Sequence, residues 1–181
     1  MAVRPLVYII VSSTRVTRIG PDVAKWIHVN AQAAFPSLEF KIIDIINYDL
    51  PLHSLEPHIP MTGLYTQPGT LEWSSTILQA SAFLFVTPQR NALDYLKKEW
   101  YDKPAGIVSY SHRGGDRAAV ALATVLAGSL RMRLASPPYA CIKSSTVFDN
   151  GSTKTEGPEV EESWDIVKEV ISGIVKQLGG K

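Results

Sequence analysis

The sequence predicts an α/β fold, a five-stranded parallel sheet covered by helices on both faces, and three observations predict it. Apolar, β-rich runs at LVYIIV (6–11), LEFKIID (38–44), AFLFV (82–86), AGIVSY (105–110) and YACIK (139–143) alternate with segments of helical period. The third run passes into a helical segment with only Thr87, Pro88, Gln89 and Arg90 between them. The 181 residues, 45% apolar and 19% charged, suit one well-buried domain spanning 1–181.

The first helix is expected to open at Gly20-Pro21-Asp22, with proline in the first turn and aspartate at the positive dipole end. Val23, Trp26, Ile27, Ala31 and Ala34 form its inner stripe. A second helix is expected over Thr70 to Ala80. A third runs from Asn91, as its cap, to Trp100, with Leu93, Leu96 and Trp100 on one face. Asp116 is expected to cap a fourth helix reaching Leu130. That helix is apolar on nearly all sides, and two readings follow: one face covers the sheet while another meets a second subunit, or the helix is simply buried within the monomer. The last helix repeats Val160, Trp164, Val167, Ile171, Ile174 and Leu178 at three- and four-residue steps before Gly179-Gly180 ends it. Five strands and five helices without a repeat suit a flavodoxin-like three-layer sandwich of strand order 2-1-3-4-5, which binds ligands at its topological switch point.

A net charge of +1 and a pI near 7.8 give no field to attract nucleic acid, and no basic run supplies a local one. Cys141 is the single cysteine, which excludes an internal disulfide and a cysteine-built metal cluster. LVYIIV is too short for a secretory segment and no apolar run approaches the length of a membrane span. We therefore expect a soluble, cytoplasmic protein acting on small molecules, with neither nucleic acid nor membrane as partner.

The richest local chemistry follows the first strand. VYIIVSSTRVTRIGP sets the hydroxyls of Ser12, Ser13, Thr14 and Thr17 beside Arg15 and Arg18, between a buried strand and a helix N-terminus. Hydroxyls, backbone N–H groups and the helix dipole can converge on one dianion there, and guanidinium groups can bind it bidentately. A solvated polar turn is the competing reading. There is no G-x-G-x-x-G and no G-x-x-x-x-G-K-[ST], which leaves a terminal phosphate as the ligand best suited to the turn.

Ser12-Ser13-Thr14-Arg15-Val16-Thr17-Arg18-Ile19-Gly20 resembles the Gly-Ser-Thr-Arg-x-x-Arg-x-Gly phosphate loop of the NADPH-dependent FMN reductase family, with Ser12 in place of the first glycine. Asp44 with Pro51-Leu52 is similar to the family's segment after strand two, and Leu71-Glu72-Trp73 to its following helix. Lys103-Pro104 leading into Ile107-Val108-Ser109-Tyr110-Ser111 is similar to its fourth strand. His112-Arg113-Gly114-Gly115 is similar to its glycine-rich turn beside the flavin. The resemblance implies FMN as cofactor, NAD(P)H as electron donor, a quinone, flavin or azo compound as acceptor, and a homodimer. It implies cofactor contacts from Ser12, Ser13, Thr14, Arg15, Thr17, Arg18, Thr87, Pro88, Gln89, Tyr110, Ser111, His112, Arg113 and Gly114. No catalytic side chain is implied, because the flavin carries the redox chemistry. Residues 12–20 and 109–115 are expected to converge at one edge of the sheet.

One segment departs from the family. Thr87-Pro88-Gln89 matches the front of its ring-flanking loop and Asn91-Ala92-Leu93-Asp94 the helix behind it, leaving Arg90 alone to span the interval. Three readings follow: a flavoprotein with an open ring site, a flavin-poor relative retained for its interactions, or a sequence in which a coding segment was skipped. His53 and His58, in the proline-rich DLPLHSLEPHIPM, read as surface-loop residues near a substrate entrance and underfill a metal site. Asp94 reads as a helix-start charge and Cys141 as a buried strand residue.

Overall fold

The apolar runs form strands, and the computed structural model describes residues 3–51, 54–87, 91–149, 152–154 and 156–179. Strands β1 (Leu6–Val11), β2 (Glu39–Asp44), β3 (Ala82–Thr87), β4 (Pro104–Ser111) and β5 (Arg133–Lys143) make one all-parallel sheet. Its order is β2-β1-β3-β4-β5, the flavodoxin-like order expected. Helices α1 (Gly20–Ala34), α2 (Pro68–Gln79), α3 (Asn91–Asp94), α4 (Asp116–Thr124), α5 (Ser144–Val147) and α6 (Pro158–Gly179) complete the main elements.

Side chains alternate across the sheet with the period of two that a strand imposes. Val7, Ile9, Val11, Leu84, Val86 and Val108 pack with α1 and α6. Tyr8, Ile10, Phe83, Phe85 and Ile107 pack on the opposite face with α2, α3 and α4. That second core is aromatic: Trp100 meets Trp73 at 6.2 Å and Phe83 at 5.0 Å between ring centroids, edge to face. Such pairs add about 0.5–1.5 kcal/mol beyond area burial. Among the described residues no helix is long and apolar enough to cross a membrane.

Several expected boundaries move, each for a local reason. In α1, Val23, Trp26, Ile27 and Ala31 are buried, but Ala34 is exposed because Phe35 turns in against that core instead. The helix expected over Asn91 to Trp100 stops after Asp94 and resumes as a 3-10 turn, Lys98–Trp100. The Lys97 amide leaves the helical ladder to donate to the buried Glu99 carboxylate at 3.2 Å. Glu99 also accepts from Ser74 at 2.7 Å and from Tyr65 at 3.2 Å. A side chain has here outcompeted a helix carbonyl for a backbone donor. Leu93, Leu96 and Trp100 are still buried, as expected.

Gly115, not Asp116, is the N-cap of α4, and its φ of +82° favours glycine. The helix then widens into a π-helical turn, Val125–Ser129. β5 begins at Arg133, six residues before YACIK, because residues 135–138 bulge out opposite Gly106. The Ser136-Pro137-Pro138 run reads as a turn by sequence, yet the bulge accommodates it within the strand. Helix α5 and the hairpin of β6 (Phe148–Asp149) and β7 (Ser152–Thr153) are too short to leave a periodic signal.

Candidate functional site

Parallel strands bring their carboxyl ends to one edge of the sheet. Val11 pairs with both Asp44 and Val86, Thr87 with Ser109, and Ser111 with Lys143. The loop between β1 and α1 and the turn between β4 and α4 therefore rise from the same edge, as expected for residues 12–20 and 109–115.

The first loop is tied down by its ends and open at its crest. Ser12 donates both its amide (3.2 Å) and its hydroxyl (2.9 Å) to the Val86 carbonyl of β3. Thr14, Arg15, Val16 and Thr17 form the exposed crest. The N-terminus of α1, with Ile19 as N-cap, has no side-chain cap; Pro21 carries no N–H and the Asp22 and Val23 amides donate to the Ile19 carbonyl, which leaves the Gly20 amide and the positive dipole end for a ligand.

Ser13 Oγ is buried without a hydrogen-bond partner of good geometry among the described residues. The Tyr110 phenol lies close beneath it and is 9% exposed. Burial raises the Tyr110 pKa, and the proximity of Ser13, Arg15 and Arg18 offsets part of that rise. A Cβ on Gly20 would stand 2.3 Å from Ser13 Oγ and 2.8 Å from the Tyr110 hydroxyl, so only glycine lets α1 approach this closely. A buried hydroxyl set against Tyr110, an uncapped helix and an exposed Arg15 fit a terminal phosphate.

The structure divides the two loop arginines. Among the described residues Arg15 has no ion-pair partner, whereas Arg18 pairs with Asp44 at the end of β2. Arg18 Nη1 donates to Asp44 Oδ1 at 2.7 Å and Nη2 to Oδ2 at 2.6 Å, with Nη1 also on the Ser13 carbonyl at 2.5 Å. The hydrogen bond to Asp44 raises the Arg18 pKa despite partial burial. Asp44, noted in the sequence only with the segment after strand two, is brought against the loop by the fold. Its signal lies in the parallel register, which sets position 44 beside Val11 and hence beside the loop.

The second element is the turn after β4. Gly114 and Gly115 have φ of +91° and +82°, and Ser109 donates to the Gly115 carbonyl at 2.8 Å. The Arg113 amide donates to Ser111 Oγ at 3.1 Å, while His112 and Arg113 project outward. Tyr110 belongs to the core under α1 and supports the phosphate loop from below, whereas Ser111 opens the turn at the edge. Thr87 is 4% exposed at the end of β3. Pro88, Gln89 and Arg90 lie outside the described residues, and three residues join β3 to α3.

Other candidates are set apart from this edge or inert. His58 is exposed, His53 lies outside the described residues, and no cluster of metal-ligating side chains exists among those described. Asp94 ends the single turn of α3 and is exposed. Cys141 is half-buried on β5, and burial, then the Asp116 charge, pushes its thiol up.

Residues 5–146 match the family model described as NADPH-dependent FMN reductase. An NAD(P)H-dependent FMN reductase of Schizosaccharomyces pombe is 36% identical over 146 residues, covering 75% of this chain and 72% of that one. An NAD(P)H-dependent FMN reductase of Nectria sp is 28% identical over 173 residues, covering 86% and 85% of the two chains. Among solved structures, the flavoenzyme NAD(P)H:(acceptor) oxidoreductase FerB from Paracoccus denitrificans superposes with a TM-score of 0.71. It is 19% identical, with 96% of this chain and 98% of that chain covered, and supports the fold alone.

Proposed function

This chain belongs to the NADPH-dependent FMN reductase family, a family of oxidoreductases that use FMN and NAD(P)H, and on that premise we propose how its own residues serve the reaction. The FMN phosphate is held at the crest of the 12–20 loop by Thr14, Arg15 and Thr17, with the Ser13 hydroxyl and the α1 N-terminus beneath them, while Ser12, its amide and hydroxyl both given to the Val86 carbonyl, anchors the foot of the loop. Arg18 stands behind them. Thr87, Pro88 and Gln89 on one side and Ser111, His112, Arg113 and Gly114 on the other border the rest of the cofactor, with Tyr110 beneath the loop. When bound, FMN supplies the two-electron chemistry between a nicotinamide donor and a small acceptor, a quinone, free flavin or azo compound. The chain's own residues bind and orient it, and none is assigned a proton.

The observation that carries this reading is the uncapped N-terminus of α1 behind a loop with a buried Ser13 hydroxyl set against Tyr110 and an exposed Arg15. We further propose a single domain that works in the cytoplasm as a homodimer. α4 presents Ala118, Val120 and Thr124 outward, the π-helical turn after it presents Ala127, and exposed Ile59 and Met61 share a groove with Leu130 beyond it. The test is titration of the purified protein with FMN, read by quenching of flavin fluorescence, followed by NADPH oxidation with a quinone. Saturable binding and acceptor-dependent turnover are expected; absence of both refutes the reading. A second reading, a flavin-poor relative, is favoured by the three-residue connection from Thr87 to Asn91. It predicts an intact fold without turnover.

A further inference from the structure

We infer that Asp44 and Arg18 form a latch that preorganises the phosphate loop, so that Asp44, a carboxylate, promotes binding of an anion it never touches. The inference rests on the phosphate reading of the 12–20 loop and assigns Arg18 a positioning role instead of a phosphate contact. Three of the five guanidinium N–H groups are committed within the protein: two to the Asp44 carboxylate and one to the Ser13 carbonyl. The pair is well shielded, with side chains 14% and 17% exposed. Surrendering that bidentate bond to grip a phosphate would leave Asp44 half-buried and unpaired, beside a dianion that repels it.

The latch acts on the backbone of Ser13, the residue whose hydroxyl lies buried under the crest. Ser12 is fastened to β3 through Val86, Arg18 to β2 through Asp44, and Gly20 lies against Tyr110 of β4. Three strands thus fix the two feet of the loop in the absence of any ligand. Binding then costs less ordering of the loop, which is how preorganisation raises affinity. Arg15, unpaired and exposed at the crest, is left as the arginine that meets the phosphate.

The sign of one substitution separates a latch from simple electrostatics. Asp44→Asn removes a negative charge near an anion site and releases Arg18, so charge alone predicts tighter FMN binding. The latch predicts the reverse: FMN affinity falls about tenfold, the low end for losing a charge-assisted hydrogen bond, while riboflavin is unchanged. Arg18→Lys is the second variant; it keeps the charge, loses the fork and is expected to show the same loss. Trypsin, which cuts after Arg15, reports loop order without any ligand and should cleave the apo form of both variants faster than wild type.

FMN affinity that rises or holds in Asp44→Asn overturns the latch, as does an equal loss for riboflavin or an unchanged rate of cleavage. Wild-type protein that binds FMN and riboflavin equally refutes the phosphate reading instead. In that case the tryptic comparison still decides whether the pair orders the loop.

Discussion

Replacing Gly20 by alanine tests the packing beneath the phosphate loop. The new Cβ would stand 2.3 Å from Ser13 Oγ, 2.8 Å from the Tyr110 hydroxyl and 3.2 Å from Val11 Cγ1. The serine hydroxyl can rotate away, but Tyr110 and Val11 are set in the core under α1 and cannot. Overpacking of this kind costs about 1–3 kcal/mol, and the stiffer unfolded chain offsets about 0.4–1 of it. A net loss of about 1–2 kcal/mol lowers the melting temperature by roughly 2–8 °C in a chain of this size. Gly128→Ala is the control: its Cβ would meet nothing within 4 Å, so that variant should melt at or above wild type. Displacing the start of α1 also moves its open N-terminus, so FMN should weaken more than riboflavin in Gly20→Ala. Calorimetry and a fluorescence titration of both flavins suffice. A Gly20→Ala protein that melts no lower than wild type, with Gly128→Ala behaving as stated, refutes the argument.

Arg15→Ala should weaken FMN and spare riboflavin; a charge-assisted bond is worth about 1.5–3 kcal/mol, reduced here because the side chain is exposed, and titration of both ligands measures the ratio. Burial lowers the Lys103 pKa to about 8. Between that value and the ordinary lysine range the unfolded chain binds the extra proton, so stability relative to Lys103→Met should rise with pH, as urea unfolding at mildly and strongly alkaline pH will show. Val120, half exposed on α4, should tolerate glutamate in the fold while the proposed dimer dissociates, as sedimentation reads. Extending the Gln89 to Asn91 connection with the family's longer loop should tighten flavin binding and raise quinone reduction together.

The fold was legible because its strands are long, apolar and bounded by polar turns; LVYIIV coincides with β1 from end to end. Both cores follow from periods of two and of three to four residues in segments long enough to count. What escaped depends on partners distant in the chain. Glu99 breaks the expected third helix only because Ser74 and Tyr65 converge on it. The start of β5 was hidden by prolines that a bulge opposite Gly106 absorbs. In the site, the serines, threonines and arginines of the loop announce an anion, but their pattern treats Arg15 and Arg18 alike. Only the pairing of β1 with β2 places Asp44 against one of them and divides their roles.

That division makes the two halves of the cofactor site separable by experiment. In the proposed site the phosphate half is fastened to β2 and β3 by hydrogen bonds and packed against Tyr110 of β4, none of which involves residues 88–90. The proposed ring half borders the three-residue connection between β3 and α3. Lost ring cover therefore weakens FMN and riboflavin by the same factor, since both carry the same ring. Their affinity ratio is set by the phosphate half alone. Extending the connection should raise both affinities in parallel and leave the ratio untouched, whereas Arg15→Ala should collapse the ratio and leave riboflavin in place. Combined, the two changes should add, as they do for sites without shared partners. A graft that alters the ratio would mean that the connection also orders the phosphate loop, and the β3 end would then belong to the latch alongside Asp44.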